Sequence, residues 1–393
     1  MPVPTDSGAN FSSVPILDWN LLTTDKPLFI AQLRHALINV GFLYLANPPV
    51  AQKDIAALID YIPRLFGLSQ QAKDAIRMAN SPHFLGYSRL GAELTKGKTD
   101  HREQFDFATR HETRWREDVD VPEYYRLWGQ SQWPDESLIP GFRSTLERYF
   151  EQVQELSYNL ISLLAEAFGL PPDALKHFYD TPDKMQHRGK IVKYPVVTDP
   201  DADDQGVGPH YDAGFLTFLL QASPHRGLQV QNLSGQWIDA PPIPNTFVVN
   251  IGKALEFVTK GLARATSHRV LSPRAGPGEP STPRYSVPFF QNISLDSRLA
   301  DSQLEFPEEI TKLKEGRGEV AKTECENLLF TSLYILRLMF EQAVNFSEFD
   351  RKPSGQVNLI GRVKSHPDVA QRHYPKLFAE YFPDGLPSAG SAY

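Results

Sequence analysis

His210-Tyr-Asp212 stands just ahead of the apolar run Phe215-Leu-Thr-Phe-Leu-Leu220. In an extended segment, residues two apart point to one face, so an imidazole and a carboxylate converge there. Alone, the pair is more often part of a surface turn than a metal site. A second imidazole changes its chemistry, because two histidines and one carboxylate bind Fe(II) while leaving coordination positions open. The chain offers eleven histidines. His35 sits in a helical pattern, His225 in the turn cluster Ser223-Pro-His-Arg-Gly227, and His366 and His373 flank a C-terminal stretch with prolines close by. His268 instead heads the strand-like run Ser267-His-Arg-Val-Leu271, in the same β-rich region as His210. His210, Asp212 and His268 are therefore the candidate metal-binding and catalytic set. Open positions are what oxygen chemistry needs, since the metal must take a co-substrate and O₂ together.

A second constellation could hold an anion. Arg284-Tyr-Ser286 opens the run Tyr285-Ser-Val-Pro-Phe-Phe290, and the same alternation turns the guanidinium and the hydroxyl to one side. A buried arginine is costly unless paired. An inward arginine beside a serine offers a carboxylate a two-pronged fork and one further donor. The bland alternative is an exposed strand arginine paired with a nearby acid. Tyr194, in Lys190-Ile-Val-Lys-Tyr-Pro195, could add a phenol to the same anion.

Elements able to position these residues are legible from periodicity and turn signals. Val14–Leu17 and Val40–Leu45 read as strands, while Phe29–Ile38 and Ile55–Leu65 carry helical spacing, the second kinked or ended near Pro63. Phe84–Phe107 is ambiguous, because Gly86, Gly91 and Gly97 break any period. Pro140–Leu170 is the strongest helix, closed by Gly169-Leu-Pro-Pro172. From about Lys190, short β-rich runs alternate with turns: 191–196, 215–220, 228–230, 237–238, 246–250, 267–271 and 285–290. Their close spacing predicts a sandwich or small barrel. Helical texture returns after Asp296, most clearly over Asn327–Val344, and the tail from Pro383 reads as loose.

Composition narrows the class. A chain of 393 residues with 41% hydrophobic content can bury a substantial core. A net charge of −7 without a basic patch argues against nucleic acid. One cysteine, Cys325, excludes an internal disulfide framework and suits a reducing, cytoplasmic setting. Met1–Ser13 has no apolar core of a signal peptide, and no apolar run reaches membrane-spanning length.

Together these residues resemble the iron(II)/2-oxoglutarate-dependent dioxygenases of the isopenicillin N synthase-like family, in a fungal-type form. The resemblance runs from Val14 to Asn292. Val14-Pro-Ile-Leu-Asp18, Val40-Gly-Phe-Leu-Tyr-Leu45, Gly86-Tyr87 and Asp100-His-Arg-Glu-Gln-Phe-Asp106 resemble its N-terminal elements. Pro209-His-Tyr-Asp212, Val249-Asn-Ile-Gly252, Ala265-Thr-Ser-His-Arg-Val270 and Arg284-Tyr-Ser-Val-Pro-Phe-Phe290 resemble its core. The resemblance implies an α+β fold: a double-stranded β-helix (jelly-roll) core with flanking helices. It places a mainly helical region at 1–180, the oxygenase core at 181–300 and a helical extension packing on it at 301–393. It implies Fe(II) on His210, Asp212 and His268, and 2-oxoglutarate held by Arg284, Ser286 and Tyr194. O₂ would be the second co-substrate and ascorbate a reductant. Oxidative decarboxylation of 2-oxoglutarate to succinate and CO₂ would drive hydroxylation, desaturation or cyclisation of a small organic substrate, in secondary metabolism.

By the same analogy Phe105, Phe107 and Phe290 fall near the substrate, with Arg102 and Gln291 adding polarity. For each aromatic the bland reading is core packing. The expected partner is a small molecule, neither nucleic acid nor membrane, and the C-terminal helices could carry an oligomer contact. Several positions depart from the family pattern: Asn47-Pro48 for Asn-His-Gly, Lys253 for an aspartate, Val192 for an asparagine, a long loop at 273–283 and an added segment at 301–351. Three other readings fit the same residues. An oxidase of the isopenicillin N synthase or aminocyclopropane-carboxylate oxidase type would keep the iron set and spend the arginine on another carboxylate. A jelly-roll binding protein would keep the pocket without catalysis. A zinc hydrolase would need a general base, and no motif places one beside the histidines.

Overall fold

The computed structural model describes residues 10–95, 98–199, 204–276, 281–301, 304–315 and 352–386. Fourteen strands are described: β1 (Ile16–Asp18), β2 (Phe42–Ala46), β3 (Gly86–Ser88), β4 (Leu94–Thr95), β5 (Lys98–Thr99), β6 (Glu103–Ala108), β7 (Arg188–Tyr194), β8 (Gln205–His210), β9 (Leu216–Gln221), β10 (Leu228–Gln231), β11 (Trp237–Asp239), β12 (Thr246–Ile251), β13 (His268–Leu271) and β14 (Arg284–Gln291). Eight form one sheet in the order β1-β2-β12-β9-β14-β7-β6-β3. Four form a second, β11-β10-β13-β8. The two sheets enclose a double-stranded β-helix core.

Alternation along the strands separates two packing surfaces. Toward the small sheet, the large sheet presents Phe42, Val192, Tyr194 and Val248, which meet Val207, Leu228, Val230 and Val270. Its other face presents Phe105, Phe107, Phe218, Val249 and Phe289 to the helices. The strands β2, β3 and β6 join this sheet beside those of the later chain, so residues on both sides of position 180 build it.

Helix Phe142–Ala167 covers that outer face, burying Leu146, Tyr149, Phe150, Val153, Leu156, Leu160 and Leu164 at steps of three and four. It ends as the sequence predicts. Gly169 is left-handed (φ 72°), the Leu170 amide returns to the Ala165 carbonyl and the Gly169 amide to Glu166, a Schellman closure. Helix Gln52–Phe66 runs through Pro63 rather than stopping there. Pro63 is exposed and in the last turn, so the missing amide removes a single bond at a solvated edge.

The C-terminal helices Ser354–Ser365, Pro367–His373 and Pro375–Tyr381 pack on the N-terminal half. Leu359, Val363, Val369 and Tyr374 form a third apolar cluster with Met78, Phe84 and Trp128. The helix expected at Asn327–Val344 lies outside the described residues. Among the described residues no helix is long and apolar enough to cross a membrane.

Candidate active site

The second histidine is positioned by strand pairing. β13 runs antiparallel to β8, and His268 is the direct partner of His210. Between His268 and Val270 the partner on β8 moves from His210 to Val207, so β8 carries an extra residue over Gly208-Pro209. Such a bulge re-aims the side chain beside it. β8 is also the edge of its sheet, where a proline costs no ladder bond. A Cβ on Gly206 would lie 2.6 Å from Tyr194 Cδ1, so the glycine lets β8 approach β7 closely.

The ligand atoms of His210, Asp212 and His268 all lie within 4.8 Å of one another. Asp212 Oδ1 is 3.9 Å from His210 Nε2 and 3.8 Å from His268 Nε2. Its other oxygen, Oδ2, accepts from Thr217 Oγ1 at 2.5 Å and from Asn250 Nδ2 at 2.7 Å. Thus one oxygen is fixed and the other turned to the imidazoles. His210 Nδ1 lies 2.8 Å from the Gly208 carbonyl and His268 Nδ1 3.3 Å from that of Thr266. Donation by each Nδ1–H leaves both Nε2 lone pairs facing the carboxylate. Phe42 packs edge-on against His268, with ring centroids 5.2 Å apart.

Electrostatics favours the ligating protonation states. Burial, reinforced by His268, pushes the His210 imidazole down to about 3. Burial alone would raise the Asp212 carboxyl. The two imidazoles and the bonds from Asn250 and Thr217 outweigh it and hold it below its ordinary value. A neutral imidazole beside an ionised carboxylate suits Fe(II).

These groups line one cavity of about 530 Å³, counting its open mouth, which also includes Tyr194, Arg284, Ser286, Phe290 and Arg102. Arg284 is 1% exposed. Its Nη2 donates to Gln221 Oε1 at 3.3 Å, its Cζ lies 5.0 Å from the Tyr194 ring centroid, and Nε and Nη1 have no partner. Burial lowers its pKa, Tyr194 opposing. A buried guanidinium with two unmet donors calls for an anion of carboxylate shape. The donor sets therefore fit iron at one end and the far carboxylate of 2-oxoglutarate at the other. Iron supplies O₂ activation there when bound.

Other expected residues fall elsewhere. Cavity residues on β14 are Arg284, Ser286, Pro288 and Phe290, two apart, so Gln291 faces away and donates to Ser157 Oγ on the long helix at 3.1 Å. On β6, Gln104 pairs with the cavity residue Val192, whereas Phe105 pairs with Ile191 on the opposite face. Phe105 and Phe107 are thus core residues rather than pocket residues, Phe105 5.3 Å from the Phe66 ring and Phe107 stacked 4.7 Å from Trp133. Sequence reading missed Thr217, Asn250 and Gln221. The signal was present, since each is a polar residue in phase with an inward position of an apolar strand.

The N-terminal segment 14–136 matches the family described as non-haem dioxygenase in morphine synthesis N-terminal, and 182–293 matches the 2OG-Fe(II) oxygenase superfamily. The chain is 41% identical over 376 residues to the 2-oxoglutarate-dependent dioxygenase frbJ of Dothideomycetidae sp. (strain 11243), covering 94% of this chain and 95% of that one. The chain belongs to the 2OG-Fe(II) oxygenase superfamily. This oxygenase is also 32% identical over 312 residues to homoarginine-6-hydroxylase 2-ODD-C23 of Glycine max, covering 74% of this chain and 88% of that one. Among solved structures, a full-length Neurospora crassa protein in complex with alpha-KG superposes with a TM-score of 0.62 at 26% identity, covering 79% of this chain and 94% of that chain. The oxygenase is a 2-oxoglutarate-dependent dioxygenase, with Fe(II), 2-oxoglutarate and O₂ as its cofactor and co-substrates.

Proposed function

We propose that this dioxygenase hydroxylates, desaturates or cyclises a small organic substrate of secondary metabolism, with Fe(II) on His210, Asp212 and His268 and the distal carboxylate of 2-oxoglutarate on Arg284, Ser286 and Tyr194. One observation carries the reading. Three ligand atoms within 4.8 Å of one another share a cavity with a buried arginine that has two unmet donors. The protein's part is to fix the ligand geometry, orient both co-substrates and exclude water. Thr217 and Asn250 keep the Asp212 carboxylate turned to the metal position. Gln221 and the Tyr194 ring keep Arg284 aimed along the cavity.

The relatives support a small substrate: one is named for hydroxylation of homoarginine, and the Neurospora crassa protein has also been solved with thymine. Phe290 and Arg102 line the remaining wall. A cytoplasmic setting, ascorbate as reductant and self-association through the C-terminal helices complete the reading. The test is anaerobic titration of Fe(II)-loaded protein with 2-oxoglutarate, followed by admission of O₂ and assay of succinate. The reading expects saturable binding and succinate. Binding unchanged in Arg284→Ala would overturn the assignment of that arginine.

A further inference from the structure

The cavity holds a second arginine whose surroundings differ from those of Arg284. Arg102 precedes β6 and lines the cavity together with the apolar residues Leu228 and Val270. It shares this cavity with His210. Its Nη2 alone carries both of its ion pairs, to Glu93 Oε2 at 2.8 Å and Asp100 Oδ2 at 2.9 Å. Its Nε is buried and has no partner. The side chain is therefore held through Nη2, with Nε left without a partner.

What holds Arg102 is itself shared. Glu93 also accepts from Lys190 Nζ at 2.8 Å and Gln104 Nε2 at 2.6 Å, with His366 Nε2 at 3.6 Å. Lys190 reaches Asp106 at 3.5 Å, and Arg362, from helix Ser354–Ser365, stands 3.8 Å from the same carboxylate. Three cations thus face three carboxylates. Burial pushes the Asp100 carboxyl up to about 6 and raises that of Asp106 as well. Burial pushes the His366 imidazole down to about 3, so it adds no charge at neutral pH. Against its burial, Glu93 is held well below its ordinary value by Arg102 and Lys190, so the cluster is close to balanced, and the buried Arg102 Nε is a donor that it leaves unmet. An anion in the cavity that Arg102 shares with His210, Asp212 and His268 would give that Nε a partner.

We propose that Arg102 determines specificity by donating to a carboxylate on the primary substrate, while Glu93 and Asp100 position it. The proposal rests on the reading that Arg284 serves 2-oxoglutarate. It makes the preferred substrate class small carboxylic acids, amino acids included, oxidised at a carbon remote from the carboxylate. The Lys190, Gln104 and C-terminal contacts position Glu93 rather than touch the substrate.

The experiment uses the full chain loaded with Fe(II) and 2-oxoglutarate without O₂. Calorimetry measures binding of matched pairs: 3-phenylpropionate and hexanoate, and the L-amino acids lysine, homoarginine and leucine, each against its methyl ester. Wild type is expected to bind at least one acid roughly tenfold or more tightly than its ester, the size of one charge-assisted hydrogen bond. Arg102→Gln is expected to erase that preference while binding 2-oxoglutarate as before. The double variant Arg102→Gln/Asp100→Asn removes one charge of each sign and keeps the test open if the single variant is unstable. An acid preference that survives in either variant, ester binding equal to acid binding in wild type, or no acid bound by the panel overturns the proposal. If 2-oxoglutarate binding is lost in Arg102→Gln and kept in Arg284→Gln, the roles of both arginines are overturned. Acid–ester indifference with normal 2-oxoglutarate binding overturns that of Arg102 alone.

Discussion

His268 lies directly across the β8–β13 ladder from His210, their ring centroids 4.2 Å apart. Asp212, two residues beyond His210, then needs only to turn one oxygen toward both rings. Thr217 from β9 and Asn250 from β12 make it do so, each a direct partner of the other across those strands. The metal position is thus fixed by both sheets at once.

That arrangement gives the two supporting residues a measurable role. Thr217→Val and Asn250→Ala each leave all three ligands in place but remove one of the two donors that hold the second Asp212 oxygen. Each is expected to weaken Fe(II) affinity about 10- to 100-fold, the usual cost of losing a partner of a metal ligand. Competition with a chromogenic chelator checks this. Folding should change little in Thr217→Val, since the hydroxyl contributes one hydrogen bond.

Gly227 tests how Arg284 is held. Its φ is 144°, and a Cβ there would lie 2.4 Å from the Leu271 carbonyl and 3.3 Å from Arg284 Cδ. Gly227→Ala is expected to displace the arginine and raise the Kd for 2-oxoglutarate about tenfold or more, comparable to losing one charge-assisted bond. Fe(II) affinity should stay within a few-fold of wild type, which separates this variant from those at Thr217 and Asn250.

Acid stability depends on a histidine outside the site. His187 is fully buried, and burial pushes its imidazole down to about 3. Its Nδ1 accepts from the Asn292 amide at 3.0 Å, and its Nε2 pairs with the Tyr158 hydroxyl at 2.7 Å. A folded-state value below the unfolded one means the unfolded chain binds the extra proton more readily. The contribution is whole above pH about 6.5 and is lost progressively as pH falls toward 3, amounting to a few kcal/mol. Urea unfolding at a series of pH values should show this slope, and His187→Gln should make it shallower by one histidine's share, since the buried His210 and His366 act over the same range.

Tyr374 pins the C-terminal helices. It stacks on Phe84 with centroids 5.4 Å apart, and its hydroxyl donates to the Pro82 carbonyl at 2.6 Å. Tyr374→Ala is expected to cost about 3–5 kcal/mol, as for other large buried aromatics. Thermal unfolding followed by circular dichroism measures the loss. Tyr374→Phe should retain most of the stability.

Much of this was legible in the sequence because the jelly-roll strands carry strong apolar alternation. The runs at 215–220, 246–250 and 285–290 emerge as β9, β12 and β14 nearly as read. β8 was not legible. Gly206, Gly208 and Pro209 give it the composition of a loop, and only its edge position and bulge make it a strand. The pocket aromatics were misplaced by phase. Phe105 and Phe107 look like pocket residues beside Arg102, yet the ladder puts the even-numbered neighbours inward. The buried charge cluster was hidden for a different reason, since Arg362 and His366 reach it from more than 250 positions downstream of Glu93, Arg102 and Asp106.

The most direct measurement is the ratio of succinate formed to O₂ consumed, in wild type and in His210→Ala, at equal Fe(II) and 2-oxoglutarate. The account predicts one succinate per O₂ in wild type and none above background in the variant. Wild-type O₂ uptake without succinate, or undiminished succinate from His210→Ala, would contradict it.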